Sequence, residues 1–505
     1  VHTFLCADIQ PDMTIKIPMR DGTELPTDIY LPYPDAKGLP CVVIRTPSGK
    51  HLYHDIYVPP LTKQGYIVAY QDTRSYLDKQ GKTFPYVTDG WGQYQDGYDT
   101  IEWLAKSPLT NGQIATTGFS AMGITQLLVA PTVPPHLKCQ HISWAASSLY
   151  HHGITYGGQF YKSQIEGWLG MYANDPSVKN YVTSQPDYNA FWTSLDANAL
   201  AAKVNVPALH YGGWYDTFSQ GTIDGYLARQ LKGDQGARGN QKLIMGPWVH
   251  PYTKVAFEFP ENSKQPPYDI SAATWFNYHI KGESNGIDKL PNVIYYVMGP
   301  LDGSKSSGNV WRTADAWPIP SDPTPIFLAA EGKLSFVRPE DESTIGFKYN
   351  PEKPVPTIGG RNLFLLSGPA DQTPLESMED VVVYTSDKLD KEIEVTGRVV
   401  AAIYFSSNQP QTDVAIRVTD VYPDGRSILI VDGIRTLKNY KPNTIVPVDI
   451  DLWSTSYVFA KDHKIRVSVS TTNYPRFEKP ALASENTVYA GPRHPSHVVL
   501  PIVTR

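Results

Sequence analysis

Ile114-Ala115-Thr116-Thr117-Gly118-Phe119-Ser120-Ala121-Met122-Gly123, running on into Ile124-Thr125-Gln126-Leu127-Leu128-Val129, is an apolar, β-branched run that reaches a serine among small residues and restarts as a helix former. A strand that stops at a serine and resumes as a helix must turn sharply. Gly118, Ala121 and Gly123 supply the small neighbours such a turn requires, and the serine stands at a helix N-terminus, where the dipole favours negative charge. The bare Gly-x-Ser tripeptide also occurs at Gly282-Glu283-Ser284 and Gly425-Arg426-Ser427. Only Ser120 lies between a strand-like and a helix-like run; the competing reading is a serine that merely caps the helix.

Two later segments repeat the arrangement of a reactive side chain just past an apolar run. Residues 206 to 211 lead into Gly212-Gly213-Trp214-Tyr215-Asp216, and residues 242 to 245 into Gly246-Pro247-Trp248-Val249-His250. A serine of ordinary pKa needs an imidazole to take its proton, and the imidazole needs a carboxylate on its other nitrogen. Ser120, Asp216 and His250 fit these roles as nucleophile, orienting acid and general base. Their chain order is that of α/β-hydrolases, and residues past the carboxyl ends of strands are where an open α/β sheet places its chemistry.

Working outward, residues 14 to 130 alternate strand and helix patterns: strands at 27 to 31, 41 to 45 and 67 to 71, and a helix at 95 to 106 with Ile101 and Leu104 on one face. This is the rhythm of a mainly parallel sheet. The rhythm breaks at Pro131, Pro134 and Pro135, and residues 131 to 204 read as an aromatic-rich, mostly helical insertion, helical at 150 to 172 and 188 to 202. Core strands resume at 205, and a helix at 272 to 280 closes the unit. From 286 to 505 short alternating strands, beginning at 293 to 298, predict a β-sandwich. The divisions expected are thus 1–130 and 205–285 for the core, 131–204 for a helical cap, and 286–505 for the sandwich.

Composition excludes several classes. The 505 residues exceed one ordinary core, and a formal net charge of −6 with 19% charged residues provides no electrostatic footprint for nucleic acid. The longest apolar runs, such as 399 to 405, fall far short of the roughly 18 residues a membrane helix requires. Cys6, Cys41 and Cys139 lack metal-ligand spacing and do not suggest a disulfide framework, Cys41 reading as a core strand residue. His51-x-x-His54-Asp55 and His151-His152 lack a third ligand, so no metal is expected. His51 and His54 are expected on the loop after Ser48, lining the cleft, and Asp72 and Arg74 as a buried ion pair. No cofactor is implied, since the relay is self-sufficient. Localisation stays open between bacterial cytoplasm and export, the start at Val1 fitting a removed signal peptide or a trimmed chain. A homo-oligomer is compatible with these features.

The segments Asp99-Thr-Ile-Glu-Trp-Leu-Ala-Lys106, Asn111-Gly112, Gly118-Phe-Ser120, Gly-Gly-Trp-Tyr-Asp216 and Gly-Pro-Trp-Val-His250 resemble the CocE/NonD hydrolases, the group of cocaine esterase, α-amino acid ester hydrolases and X-Pro dipeptidyl-peptidases. The likeness extends to Met19-Arg20-Asp21-Gly22, Gly359-Gly360, Gly368-Pro369-Ala370-Asp371-Gln372, Val383-Tyr384-Thr385-Ser386 and Asn473-Tyr474-Pro475-Arg476-Phe477. It implies an α/β-hydrolase core with a mainly parallel sheet, a short helical cap and a C-terminal jelly-roll β-sandwich. It also implies cleavage of an ester, or alternatively of an amide or β-lactam, through an acyl-serine; an acyltransferase is the further alternative.

Three departures qualify the resemblance. Where the family carries Arg-Thr-Pro-Tyr, whose tyrosine serves the oxyanion hole, this chain reads Arg45-Thr46-Pro47-Ser48. The oxyanion donors expected are the Ala121 N–H and Ser48, with Tyr53 or Tyr76 as replacements reaching in. After Asp216 stand Thr217, Phe218, Ser219 and Gln220, with no acidic residue to hold a substrate ammonium unless Glu166 supplies it. Only 96 positions separate Ser120 from Asp216, which predicts a small cap and an open cleft. Substrate-facing candidates are Tyr53, Tyr76, Trp144, Trp168, Trp214 and Phe218.

Overall fold

The computed structural model describes residues 9–78, 82–173 and 175–504; Cys6 lies outside them. Its first sheet is built from β1 (Met13–Pro18), β2 (Glu24–Tyr30), β3 (Leu39–Thr46), β4 (Ile67–Asp72), β5 (Thr110–Phe119) and β6 (Leu137–Ser143). A two-stranded hairpin follows, β7 (Thr155–Tyr156) with β8 (Gln159–Phe160), and the sheet resumes with β9 (Ala208–Tyr215), β10 (Gln241–Val249), β11 (Val293–Val297) and β12 (Val310–Ala314). Among the described residues the ten strands lie in the order β1-β2-β4-β3-β5-β6-β9-β10-β11-β12. The central run from β4 to β11 is parallel, and β1, β2 and β12 are antiparallel additions at its edges.

The α-helices among the described residues before 285 are α1 (His54–Thr62), α2 (Arg74–Leu77), α3 (Asp96–Lys106), α4 (Ala121–Val129), α5 (Lys162–Tyr172), α6 (Pro176–Thr183), α7 (Ala190–Thr193), α8 (Ser219–Lys232) and α9 (Ala272–Lys281). Strand pleating assigns them to layers. Val42, Ile44, Val68 and Tyr70 join Val58 and Leu61 of α1 and Trp275, Phe276 and Ile280 of α9 in one core. The alternate residues Cys41, Val43, Ile67 and Ala69 join Ile101 and Leu104 of α3 in another. Cys41 and Cys139 are free and buried, and burial pushes the Cys41 thiol up to about 12. No helix of the described residues is long and apolar enough to cross a membrane.

Several expectations change. Residues 150 to 172 are not one helix: a π turn at Tyr150–Ile154 leads into the β7–β8 hairpin before α5 begins. Gly157 and Gly158, with φ of 56° and 87°, make the turn that a helix could not contain. Residues 188 to 202 likewise split into α7 and a 3-10 stretch, Ala197–Lys203, because Asp196 accepts from the Asn198 N–H and starts a new cap. The run at 293 to 298, expected in the sandwich, pairs in parallel with β10. All five residues of β11 are buried, as in a strand covered on both faces.

Asp72 and Arg74 do not pair with each other. Asp72 accepts the Lys50 N–H at 2.7 Å, and burial pushes its carboxyl up to about 6. Arg74 instead bridges Asp21 at 2.6 Å and Asp96 at 2.8 Å. From Asp322 onward the described residues form an eleven-stranded β domain, with Ile393–Ser407 pairing along most of its length with Val446–Phe459. Its core is continuous with Trp214, Tyr215 and Met245 of the first sheet.

Candidate active site

Ser120 stands between the end of β5 and the start of α4 with φ 54° and ψ −121°, a conformation a non-glycine residue adopts only when its surroundings force it. Its N–H is held by the Ser143 carbonyl at 3.0 Å. The tight turn explains its neighbours. A Cβ on Gly118, whose φ is 137°, would lie 2.4 Å from Met122 Cβ, and one on Gly123 would lie 2.6 Å from Ala145 Cβ.

The other two segments interlock. β10 bulges between Gly246 and Val249, and the Trp248 carbonyl passes so close to Gly213 that a Cβ there would lie 2.1 Å from it. The bulge re-aims the chain, so that His250, just past β10, meets Asp216, just past β9. His250 Nδ1 is 2.7 Å from Asp216 Oδ1, and His250 Nε2 is 3.0 Å from Ser120 Oγ. Asp216 is fully buried and His250 nearly so, while Phe218 places its ring edge-on to the imidazole, 5.4 Å between centroids. Ala121, first in α4, lines the same space, and its N–H has no carbonyl one turn back within its own helix.

That space is a cavity of about 200 Å³ lined by Ser48, Tyr53, Phe119, Ser120, Ala121, Trp168, Tyr172, His250, Tyr252 and Phe364, among others. Of the residues singled out from the sequence, Ser48, Tyr53, Ala121 and Trp168 meet here with Ser120 and His250, whereas Asp216 and Phe218 are buried and do not line the cavity. Trp144 instead lines an adjoining cavity of about 400 Å³, with Tyr211 and Trp248, on the far side of the loop from His250 to Thr253. Tyr76 is not in the cleft: it is about half exposed, and its hydroxyl covers Gly49. Trp214 is buried away from the cleft, donating its indole N–H to the Tyr296 carbonyl at 2.8 Å and packing on Trp317.

The expected place of His51 and His54 also changes, since both line a separate cavity with Asp28 and Lys50. Glu166 is tied to Lys162 at 2.6 Å and Lys179 at 2.7 Å. His152, in the π turn, pairs with Asp224 at 3.0 Å. The cleft residues that escaped notice as site residues include Phe119, Tyr172, Tyr252 and Phe364. Tyr172 had a signal, since Trp168 and Tyr172 share a helix face four residues apart. Phe364 had none, being delivered from a distant loop of the second domain.

Comparison with known proteins agrees with this architecture. The model of the X-Pro dipeptidyl-peptidase (S15 family) matches residues 21–179 and 161–252, and that of the X-Pro dipeptidyl-peptidase C-terminal non-catalytic domain matches residues 285–499. Cocaine esterase of Rhodococcus sp. (strain MB1 Bresler) is 30% identical, covering 97% of this chain and 98% of that one. The chain belongs to the CocE/NonD family of serine hydrolases. A putative serine esterase of Mycobacterium bovis is 24% identical over 83% of the hydrolase and 68% of its own length. Among solved structures, an α-amino acid ester hydrolase superposes with a TM-score of 0.79 at 21% identity, covering 99% of this chain and 98% of that one. A CocE/NonD family hydrolase from Staphylococcus aureus gives 0.74 at 18% identity, covering 97% and 93%.

Proposed function

We propose that this hydrolase cleaves carboxylic esters through an acyl intermediate on Ser120. The observation that carries the reading is the continuous hydrogen-bonded chain from Ser120 Oγ through His250 to the buried Asp216, opening into an aromatic cleft. Ser120 Oγ attacks the acyl carbon while His250 Nε2 takes its proton. Asp216 holds Nδ1–H, fixing the tautomer and stabilising the imidazolium. Negative charge on the former carbonyl oxygen is met by the Ala121 N–H and a hydroxyl donor at Ser48. Collapse returns the proton to the leaving alkoxide; water then repeats the sequence on the acyl-serine.

The cleft chemistry favours a neutral, apolar acyl group. Phe119, Trp168, Tyr252 and Phe364 form its walls, and none of its described lining residues is acidic. An α-amino acyl group or a peptide amino terminus would need an anionic anchor. Glu166 is already neutralised by two lysines, and Thr217 is committed to Gln164 at 2.6 Å.

The test is intact mass after brief exposure to p-nitrophenyl esters of graded acyl size. An acyl adduct confined to Ser120 is expected, and Ser120→Ala should lose the adduct, fluorophosphonate labelling and roughly 10⁴- to 10⁶-fold in kcat. Persistent turnover in Ser120→Ala would sink the reading. Matched p-nitroanilides separate esterase from amidase, near-equal rates pointing to the amidase.

A further inference from the structure

Acyl transfer through Ser120 needs a second oxyanion donor, and position 48 carries only a short hydroxyl. Ser48 Oγ lies 3.0 Å from the hydroxyl of Tyr172, the last residue of α5, and both side chains line the same cavity as Ser120 and Ala121. Among the described residues neither hydroxyl makes another hydrogen bond. Two hydroxyls joined by one hydrogen bond use one proton and leave the other for a third acceptor.

Acidity decides which proton remains. A phenol is the better donor and an alkyl hydroxyl the better acceptor, so the favoured direction is Tyr172 O–H to Ser48 Oγ, with the Ser48 proton turned to the cleft. A chain of this kind polarises along its length, and each donor strengthens the next as negative charge develops. Burial keeps the Tyr172 phenol protonated by raising its pKa. The ring is braced edge-on against Trp168, 5.7 Å between centroids, and Trp168 is stacked on Tyr86. The packing fixes where the hydroxyl points.

We propose that Ser48 and Tyr172 together form the second arm of the oxyanion hole, with Ser48 touching the oxyanion and Tyr172 acting through it as a positioning residue. The hole is then divided between the loop after β3 and the cap, and is complete only while the C-terminal end of α5 meets that loop. The proposal rests on the acyl-serine reading above.

Four variants test it on p-nitrophenyl butyrate: Tyr172→Phe, Ser48→Ala, the double variant, and Tyr172→Phe combined with Ser48→Tyr. Phe keeps the ring and its packing, so melting temperature should stay within a few degrees. Ser48→Ala should lose roughly 10²- to 10³-fold in kcat, as for removal of one oxyanion donor, and Tyr172→Phe a smaller share of that, roughly 10-fold or more, each with KM within about twofold. Because Tyr172 works through Ser48, the double variant should be no slower than Ser48→Ala. Ser48→Tyr in the Tyr172→Phe background should recover part of the rate by returning a phenol to the cleft, which a purely structural role would not produce.

Wild-type kcat in Tyr172→Phe, or fully additive losses in the double variant, would overturn the proposal while leaving a Ser120 acyl adduct, and hence the acyl-serine reading, intact. Absence of that adduct in the wild-type enzyme would overturn both.

Discussion

At the scale of single residues, the site is built on positions where a side chain has no room. Ser120 holds a positive φ because Gly118 and Gly123 let α4 crowd against β5 and β6. A Cβ on Gly123 would also lie 3.0 Å from the Ser143 carbonyl, the acceptor for the Ser120 N–H. Gly123→Ala should therefore cost about 1–3 kcal/mol by overpacking and lower kcat as well, because it displaces the group that holds the turn. Thermal melting alongside steady-state kinetics checks both; a stable, fully active variant would mean the turn tolerates more than the distances allow. Asp216→Asn should keep the fold but lose roughly 10⁴-fold in kcat, as expected when the imidazole tautomer is no longer held. That Ser120, Asp216 and His250 come together was legible because each is tied to a strand end and to small neighbours. Trp214 was not. Two residues before Asp216 in sequence, it is committed to the Tyr296 carbonyl on the next strand but one, and nothing in Gly-Gly-Trp-Tyr-Asp indicates which way the indole points.

At the scale of elements, the cap shows where periodicity misleads. Residues 150 to 172 carry helix-compatible aromatics, yet the β7–β8 hairpin interrupts them so that the cap can dock on the second domain. The Tyr156 hydroxyl donates to the Asp451 carbonyl at 2.5 Å, its ring stacks on Trp453 at 4.5 Å, and the Thr436 N–H donates to the Gly157 carbonyl at 2.9 Å. These partners lie nearly 300 positions away in sequence, so local pattern could not announce them. Gly157 is the closest approach: a Cβ there would sit 1.8 Å from the Ile434 carbonyl. Gly157→Ala is expected to lift the hairpin, exposing residues 145 to 175 to proteolysis and reducing kcat, since α5 follows the hairpin and carries Trp168 and Tyr172. Protease resistance equal to that of the unaltered protein would show that the hairpin does not hold the cap.

At the scale of the whole molecule, a β-rich C-terminal domain was legible, whereas the membership of β11 was not, because a five-residue apolar run reads alike in a sandwich and in a buried parallel sheet. The two domains share a core through Trp214, Tyr215, Tyr295 and Tyr296, and Phe364 of the second walls the cleft. A chain ended after residue 320 keeps every strand of the first sheet but uncovers that core, so it should be insoluble; a soluble, active fragment would refute this. The central sheet also stores a pH dependence in His210 of β9, which is almost fully buried and bonded to the Gln241 side chain at 3.1 Å. Burial, aided by the nearby Arg229 cation, pushes its pKa from the ordinary 6.5 down to about 3. The unfolded chain takes up a proton there as pH falls below 6.5, while the folded chain stays neutral until about 3. Folding stability must therefore decline across that window, by about 1–2 kcal/mol at pH 5 relative to pH 8 for this one group. His210→Gln removes the titration and keeps a polar partner for Gln241. Its urea-unfolding midpoint should fall less between pH 8 and pH 5 than that of the unaltered protein, even if its stability at pH 8 is lower; equal declines would place the acid sensitivity in other groups.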